Sequence, residues 1–472
     1  MRGTALWAKR GIGVTAVAAV ATLMVPTAMV AHAAGTRATS TRKTIVTGLV
    51  YRQIHDPVGP WIVHELVVDP SRSVTLDTVT SAPQMGSWVR TSTMAENDGA
   101  IAAVDGDFSV WPGRPSHPFA DDGVLKQSGL RSGVSFGIRR DEAKAFIAHE
   151  AVHTWARDLQ LKKGIGVSSW NTETPGLNQV VGYSLYGGGA EKPPSNSCGV
   201  RLKLAGPFHW GKNQLGIYRD YRVGARRCQS SGMTFKSANI VLASRQTGAG
   251  ATWIKSLAKR QTVRLTWDVG MHGVMDVIGG NPMLVDNGRL AVSSTCKTWF
   301  CQKNPRTGVG ITAKGKILLV VVDGRKSTSV GMTLYQFAKY MRSLGAVYAM
   351  NLDGGGSATM WIKGMGVVSD PSDSSGERPV TNALVVLPGG DADEPSPLKF
   401  GRTSRLAQRY LDVSLTAPTG ADPRTSMNLA LHDPASTGGM MDWLVSQGGL
   451  RGRSTLPASV LRMARRFRST RG

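Results

Sequence analysis

The chain has 472 residues, with 56 Lys and Arg against 32 Asp and Glu, a formal charge of +24, and 56 glycines. This balance excludes an acidic disordered chain, a collagen and a mini-protein held by disulfides alone. A glycine content well above the usual ~7% argues for many tight turns and close backbone approaches rather than a helix bundle.

Residues 1–33 read as an export signal: Arg2, Lys9 and Arg10 precede an apolar run over residues 11–30, which ends in Ala31-His32-Ala33. The run approaches the ~20 residues of a membrane anchor, but its small-residue ending favours cleavage after Ala33 and a secreted product. A Thr/Ser/Arg-rich linker is expected over residues 34–44, followed by one strand-rich domain over 45–388. Strand-like runs occupy residues 61–68 and 73–79, with Asp69-Pro70 as the turn between them. The Gly-, Asp- and Pro-rich segment 389–398 marks a boundary, and residues 399–472 read as a basic, helical C-terminal appendage. Its last part carries seven arginines and no acid, with Val460, Met463, Ala464 and Phe467 at helical spacing, a packed helix or a contact for anionic polymers.

Cys198, Cys228, Cys296 and Cys301 allow three disulfide connectivities in an exported chain. Pairing Cys198 with Cys228 and Cys296 with Cys301 is favoured because each pair closes a polar loop. Zinc spacing is absent from the cysteines and the nine histidines. The basic residues are scattered and match no nucleic-acid-binding motif, so anionic envelope polymers or phosphorylated glycans suit the charge better than specific nucleic acid.

Residues 316–322 (KILLVVV) form an apolar, β-branched run that predicts a buried strand. Thr333 can cap a helix whose apolar face is Leu334, Phe337, Ala338 and Met341, ending before Gly345. Residues 347–352 (VYAMNL) then predict a second strand. Strand, helix and strand of this length make a βαβ crossover, so the two strands should be parallel with their carboxyl ends at one edge. The expected fold is α+β: a strand-rich domain with a mixed sheet and this crossover.

At that edge stand Asp323-Gly324-Arg325 and Asp353-Gly354-Gly355-Gly356-Ser357, while a third apolar run, 101–104, ends in Asp105-Gly106-Asp107-Phe108. Asp-Gly alone is a common turn. Three glycines in succession before a hydroxyl residue require a close ligand or positive φ, and their amides could cradle a phosphate or carboxylate. The loop is not a Walker A motif. Three acidic turns that meet could also hold a divalent cation, calcium by preference, although no EF-hand pattern specifies one.

These residues resemble a known family. The run Asn351 to Met360 (NLDGGGSATM) is similar to the signature of the phosphodiester glycosidases, the family of the uncovering enzyme. In order along the chain, Ala103 to Phe108 resembles the family's NGxF element and Ile278 to Pro282 its glycine-rich loop. Asn304 to Gly310 resembles its PRTxxG element, and Val322 to Arg325 its DGR. Two positions depart: Asp105 stands where the family usually has Asn, and Ser109 where it has an aromatic. A carboxylate there removes a donor and adds negative charge, which disfavours an anionic substrate unless a cation offsets it.

The resemblance implies hydrolysis between a sugar's anomeric carbon and a phosphodiester. Phosphate is a good leaving group, so the chemistry needs cations on the phosphate and a carboxylate near the sugar more than a strong general acid. Asp353 is then the main catalytic carboxylate, with Asp323, Asp107 and Asp105 in support. Arg306 and Arg325 form a phosphate clamp, joined by Thr307, Asn351 and the amides of Gly354, Gly355, Gly356 and Ser357. Ser357 reads more readily as a helix cap than a nucleophile, and Asp323 could instead pair with a neighbouring arginine. His272 is a lone histidine that could reach the site. The other readings are a non-catalytic module that docks on anionic envelope glycans and an ordinary glycosidase without phosphate preference.

Overall fold

The computed structural model describes residues 37–80, 85–139, 144–149, 152–172, 174–187, 193–209, 216–228, 233, 239–270 and 273–389. The segments expected as signal sequence and C-terminal appendage, and His272, lie outside the described residues. Five sheets and three short α-helices make up the described part, an α+β architecture dominated by strands. The first strand, Thr39–Val46, begins inside the stretch expected as linker. Its β-branched residues favour extended backbone, and Arg42 and Lys43 charge the sheet edge against further pairing.

The sheet that positions the candidate site has eight strands in the order Thr39–Val46, Leu49–Asp56, Trp61–Val68, Ile317–Val322, Arg306–Thr312, Ala346–Gly354, Met283–Asp286 and Arg289–Leu290. Ile317–Val322 and Ala346–Gly354 are parallel, as the crossover requires, but they are not neighbours. Arg306–Thr312 runs between them and is antiparallel to both. Every neighbouring pair in this sheet is antiparallel. Among the described residues, parallel pairing occurs only between Ser169–Trp170 and Val181–Tyr183, in a second eight-stranded sheet.

Alternation along the buried strands of the long sheet gives it an apolar layer on each face. Leu319 and Val321 join Leu66, Met350, Leu352, Phe136, Ile278, Val104 and Met360 on one face of the long sheet. Leu318, Val320 and Val322 point the other way, toward Leu334, Phe337, Ala338 and Met341 of the Leu334–Ser343 helix. Thr333 caps that helix with a full capping box: its hydroxyl accepts from Gln336 N at 3.1 Å while Gln336 Oε1 accepts from Thr333 N at 2.9 Å. Gly308 and Gly310 let the helix lie close, since a Cβ at Gly308 would stand 2.8 Å from the Phe337 ring and one at Gly310 2.9 Å from Met341.

Cys198 pairs with Cys228 across two adjacent strands, and Cys296 with Cys301 closes a short loop. Both bonds suit an oxidising compartment. No helix among the described residues is long and apolar enough to cross a membrane.

Candidate active site

Two sheets end at the same place. The Ala102–Asp105 strand belongs to a five-stranded sheet with Met360–Ile362, Asn382–Pro388, Val74–Thr80 and Gly366–Val367. Its exit residue Gly106 accepts a hydrogen bond from the amide of Asp353 at 2.8 Å, where Ala346–Gly354 leaves the long sheet. Asp105, Asp107 and Asp353 are thereby brought together, close enough for Asp353 to feel the charge of Asp107 and for Asp105 to feel that of Asp353.

Each carboxylate sits in a different environment. Asp105 is fully buried, and its Oδ1 accepts from Thr307 Oγ1 at 2.6 Å and from Thr359 N at 2.8 Å. Its Oδ2 meets no hydrogen-bond partner among the described residues. Burial, with a contribution from Asp353, pushes its pKa well above the carboxylate range against the effect of these donors. A neutral carboxyl group has one donor and one acceptor oxygen, as an asparagine amide has a donor and an acceptor. The expected addition of negative charge at this position is therefore opposed by burial.

Asp107 is committed to a histidine that the sequence had not singled out. Its Oδ2 accepts from His117 N at 2.7 Å, its Oδ1 lies 2.6 Å from His117 Nδ1, and its own amide donates to Asn382 Oδ1 at 2.8 Å. A proton on Nδ1 leaves Nε2 of His117 as a base. His117 is almost fully buried, and Gly133 and Gly279 make room for its side chain. Of the expected glycine-rich loop, Ile278 to Gly280 end the strand Asp276–Gly280 and only Asn281 and Pro282 lie beyond it; the glycines serve close packing, Gly279 against His117 and Gly280 against Asn351 and Met350. Ser116-His117-Pro118 carries no motif, and the only hint was an acidic turn ten residues earlier.

Asp353 is half-buried, accepts from Gly354 N at 2.8 Å and is hydrogen-bonded by Ser357. Burial raises its pKa to about 6, with Asp107 adding to the rise and Ser357, Gly354 and Arg378 opposing it. The amide cradle is smaller than expected. Gly354 N is spent on Asp353, and Gly355 N donates to Pro305 O at 3.0 Å, so the loop's remaining amides are those of Gly356 and Ser357. Gly355 has a φ of +62°, and a Cβ there would stand 2.8 Å from Arg325 Nη2. A Cβ at Gly356 would collide with the ion pair of Arg378 and Asp373. Two arginines thus flank the triple glycine.

The other expected residues each have partners of their own, and Arg325 and Arg306 stay beside the 354–356 loop. Asp323 is buried, with Oδ2 3.1 Å from His64 Nε2 and Oδ1 accepting from Asp370 N at 2.9 Å, while Tyr51 Oη completes the chain 2.8 Å from His64 Nδ1. It stands at the end of a strand two places from the one bearing Asp353. Arg325 is exposed and touches Asn304 Oδ1 at 3.1 Å. Arg306 is buried, with Nε donating to Met332 O at 3.0 Å and Nη2 to Phe300 O at 2.8 Å and Gln302 O at 2.6 Å. Burial and the nearby Arg325 lower it to about 10. Asn351 donates Nδ2 to Asn281 O at 2.9 Å and Leu352 O at 2.6 Å, which ties two strand ends together.

The donors around Asp353 do not favour a hard cation, since both Asp107 oxygens face His117 and Asp105 is held toward its neutral form. Among the described residues, the carboxylates close enough to share an ion are Asp77, Asp121 and Asp276, within 4.8 Å of one another. The ammonium of Lys126 already lies 2.9 Å from Asp121 there.

Residues 215–387 match the family model described as phosphodiester glycosidase. A segment is 41% identical over 109 residues to mouse N-acetylglucosamine-1-phosphodiester α-N-acetylglucosaminidase, covering 22% of this chain and 21% of that protein. Another is 35% identical over 92 residues to an SPbeta prophage-derived uncharacterized protein of Bacillus subtilis, covering 19% of this chain and 14% of that one. The chain thus spans about a fifth or less of these relatives' length. The fold is similar to a solved structure of a hypothetical protein from Synechocystis, with a TM-score of 0.57 at 17% identity, covering 74% of this chain and 63% of that one.

Proposed function

We propose that this chain, a member of the phosphodiester glycosidase family by its match over residues 215–387, is a secreted hydrolase that cleaves the sugar C1–O bond of glycosyl-1-phosphodiesters. The products are a free sugar and a phosphomonoester. The observation that carries the reading is the meeting of Asp353 and the Asp107–His117 pair beside a triple-glycine loop flanked by Arg325 and Arg378.

In this reading Asp353 acts in its ionised form on the anomeric carbon, as nucleophile or by orienting water, where positive charge develops as the C1–O bond lengthens. His117 accepts a proton from water at Nε2, with Nδ1 bound to Asp107. The departing phosphate meets Arg325, Arg378 and the amides of Gly356 and Ser357. Arg306 is then a positioning residue that holds the 300–302 backbone, and Asp323 orders the loop beginning at Asp370 through that residue's amide.

The departure at Asp105 favours a second reading, a non-catalytic module for anionic envelope glycans, because a charged carboxylate would repel phosphate. Burial opposes that charge. Incubating the mature chain with a panel of nucleoside-diphosphate sugars and simple glycosyl phosphodiesters, with calcium and with chelator, tests the hydrolase reading. Free sugar release from a phosphodiester but not from neutral aryl glycosides supports it; tight binding without release supports the module.

A further inference from the structure

Trp299 is 80% exposed, although it sits on a loop held by several restraints. The Cys296–Cys301 bond closes the loop, Gln302 Nε2 donates to Lys297 O at 3.1 Å, and the buried Arg306 holds the carbonyls of Phe300 and Gln302. A large apolar ring on an already ordered backbone leaves only its own side-chain freedom to be lost on contact, which lowers the cost of binding there.

The surface is continuous with the candidate site. Trp299 meets Phe300 edge to face at 5.8 Å, Phe300 meets Phe108 at 5.7 Å, and Phe108 meets His117 at 6.1 Å. His117 in turn holds Asp107, the residue before Phe108. Lys297 and Lys303 are exposed on the two sides of the tryptophan in sequence.

We propose that Trp299, with Lys297 and Lys303, forms an outer subsite for a phosphorylated glycan chain, stacking on a pyranose ring while the lysines meet the phosphate charge. The proposal rests on the hydrolase reading for its substrate class, and it names the part of the chain that lies beyond the scissile bond. A ring with axial hydrogens packs on an indole face, whereas a bare polyanion gains nothing from it.

Calorimetric titration of the full chain with phosphorylated mannan, unphosphorylated mannan and inorganic polyphosphate tests it, with sugar release followed separately. The expected order has phosphorylated mannan tightest. Trp299→Ala weakens it about tenfold or more, and Trp299→Phe keeps most of the affinity. Lys297→Gln with Lys303→Gln removes the advantage of phosphorylated over unphosphorylated mannan. Trp155→Ala, at an exposed tryptophan on the strand His153–Asp158, changes nothing. Binding to none of the polymers, unchanged affinity in Trp299→Ala with an unchanged melting temperature, or equal binding of polyphosphate would overturn the subsite. Loss of sugar release with this binding pattern intact would overturn the hydrolase reading alone.

Discussion

Thr307 donates its hydroxyl to Oδ1 of Asp105 over 2.6 Å, joining the strand Arg306–Thr312 of the long sheet to the end of Ala102–Asp105 in the five-stranded one. The bond is fully buried, so its acceptor is costly to ionise and costly to lose.

Asp105→Asn should therefore be tolerated. The native pKa of Asp105 lies above its ordinary value, so above that ordinary value the folded chain retains a proton that the unfolded chain has released, and stability falls as pH rises toward the native pKa. The amide variant loses this slope. Thermal melts at pH 5 and pH 8 should show a smaller drop in Tm for the variant than for the parent, whereas Asp105→Ala should cost about 1–3 kcal/mol by stranding Thr307 and the Thr359 amide.

Burial raises the pKa of Asp353 to about 6, so the proposed hydrolysis should have its acid limb there. If the ionised form acts, kcat/KM rises with pH through about 6 and stands roughly tenfold below its plateau at pH 5. A profile flat from pH 5 to 7 would remove Asp353 from the chemical step.

His117→Gln keeps a polar side chain opposite Asp107 but loses the basic Nε2. A loss of kcat/KM on the order of 10²–10⁴-fold with KM little changed is expected. A parallel loss of Tm and activity would make His117 a packing residue.

The helix behind the long sheet offers a test of the fold that leaves the site alone. Thr333→Ala removes the capping box and should cost about 1 kcal/mol in denaturant unfolding. Gly308→Ala should cost more, about 1–3 kcal/mol, because its Cβ meets the Phe337 ring.

Much of this arrangement was legible because periodicity and chemistry coincided. The run ILLVVV, the Thr333 cap and the Leu334, Phe337, Ala338, Met341 stripe specify strand and helix from local rules alone. Local rules do not show that Arg306–Thr312 threads between the two parallel strands, because antiparallel pairing at long sequence separation leaves no period of its own. The same reason hid His117: its partner is ten residues away across a turn and a hairpin, and its role depends on Gly133 and Gly279 from other strands. Nor does the sequence show that Nε and Nη2 of Arg306 are taken by the carbonyls of Phe300, Gln302 and Met332. The glycines of the 354–356 run were readable as a close approach, but arginine side chains and internal amide bonds account for part of what a ligand was expected to explain.

The most direct measurement is sugar release from a glycosyl-1-phosphodiester by the mature chain and by Asp353→Asn, with circular dichroism confirming that both are folded. Release by the parent and none above background by the variant is the expected result. Equal release by the two would contradict it.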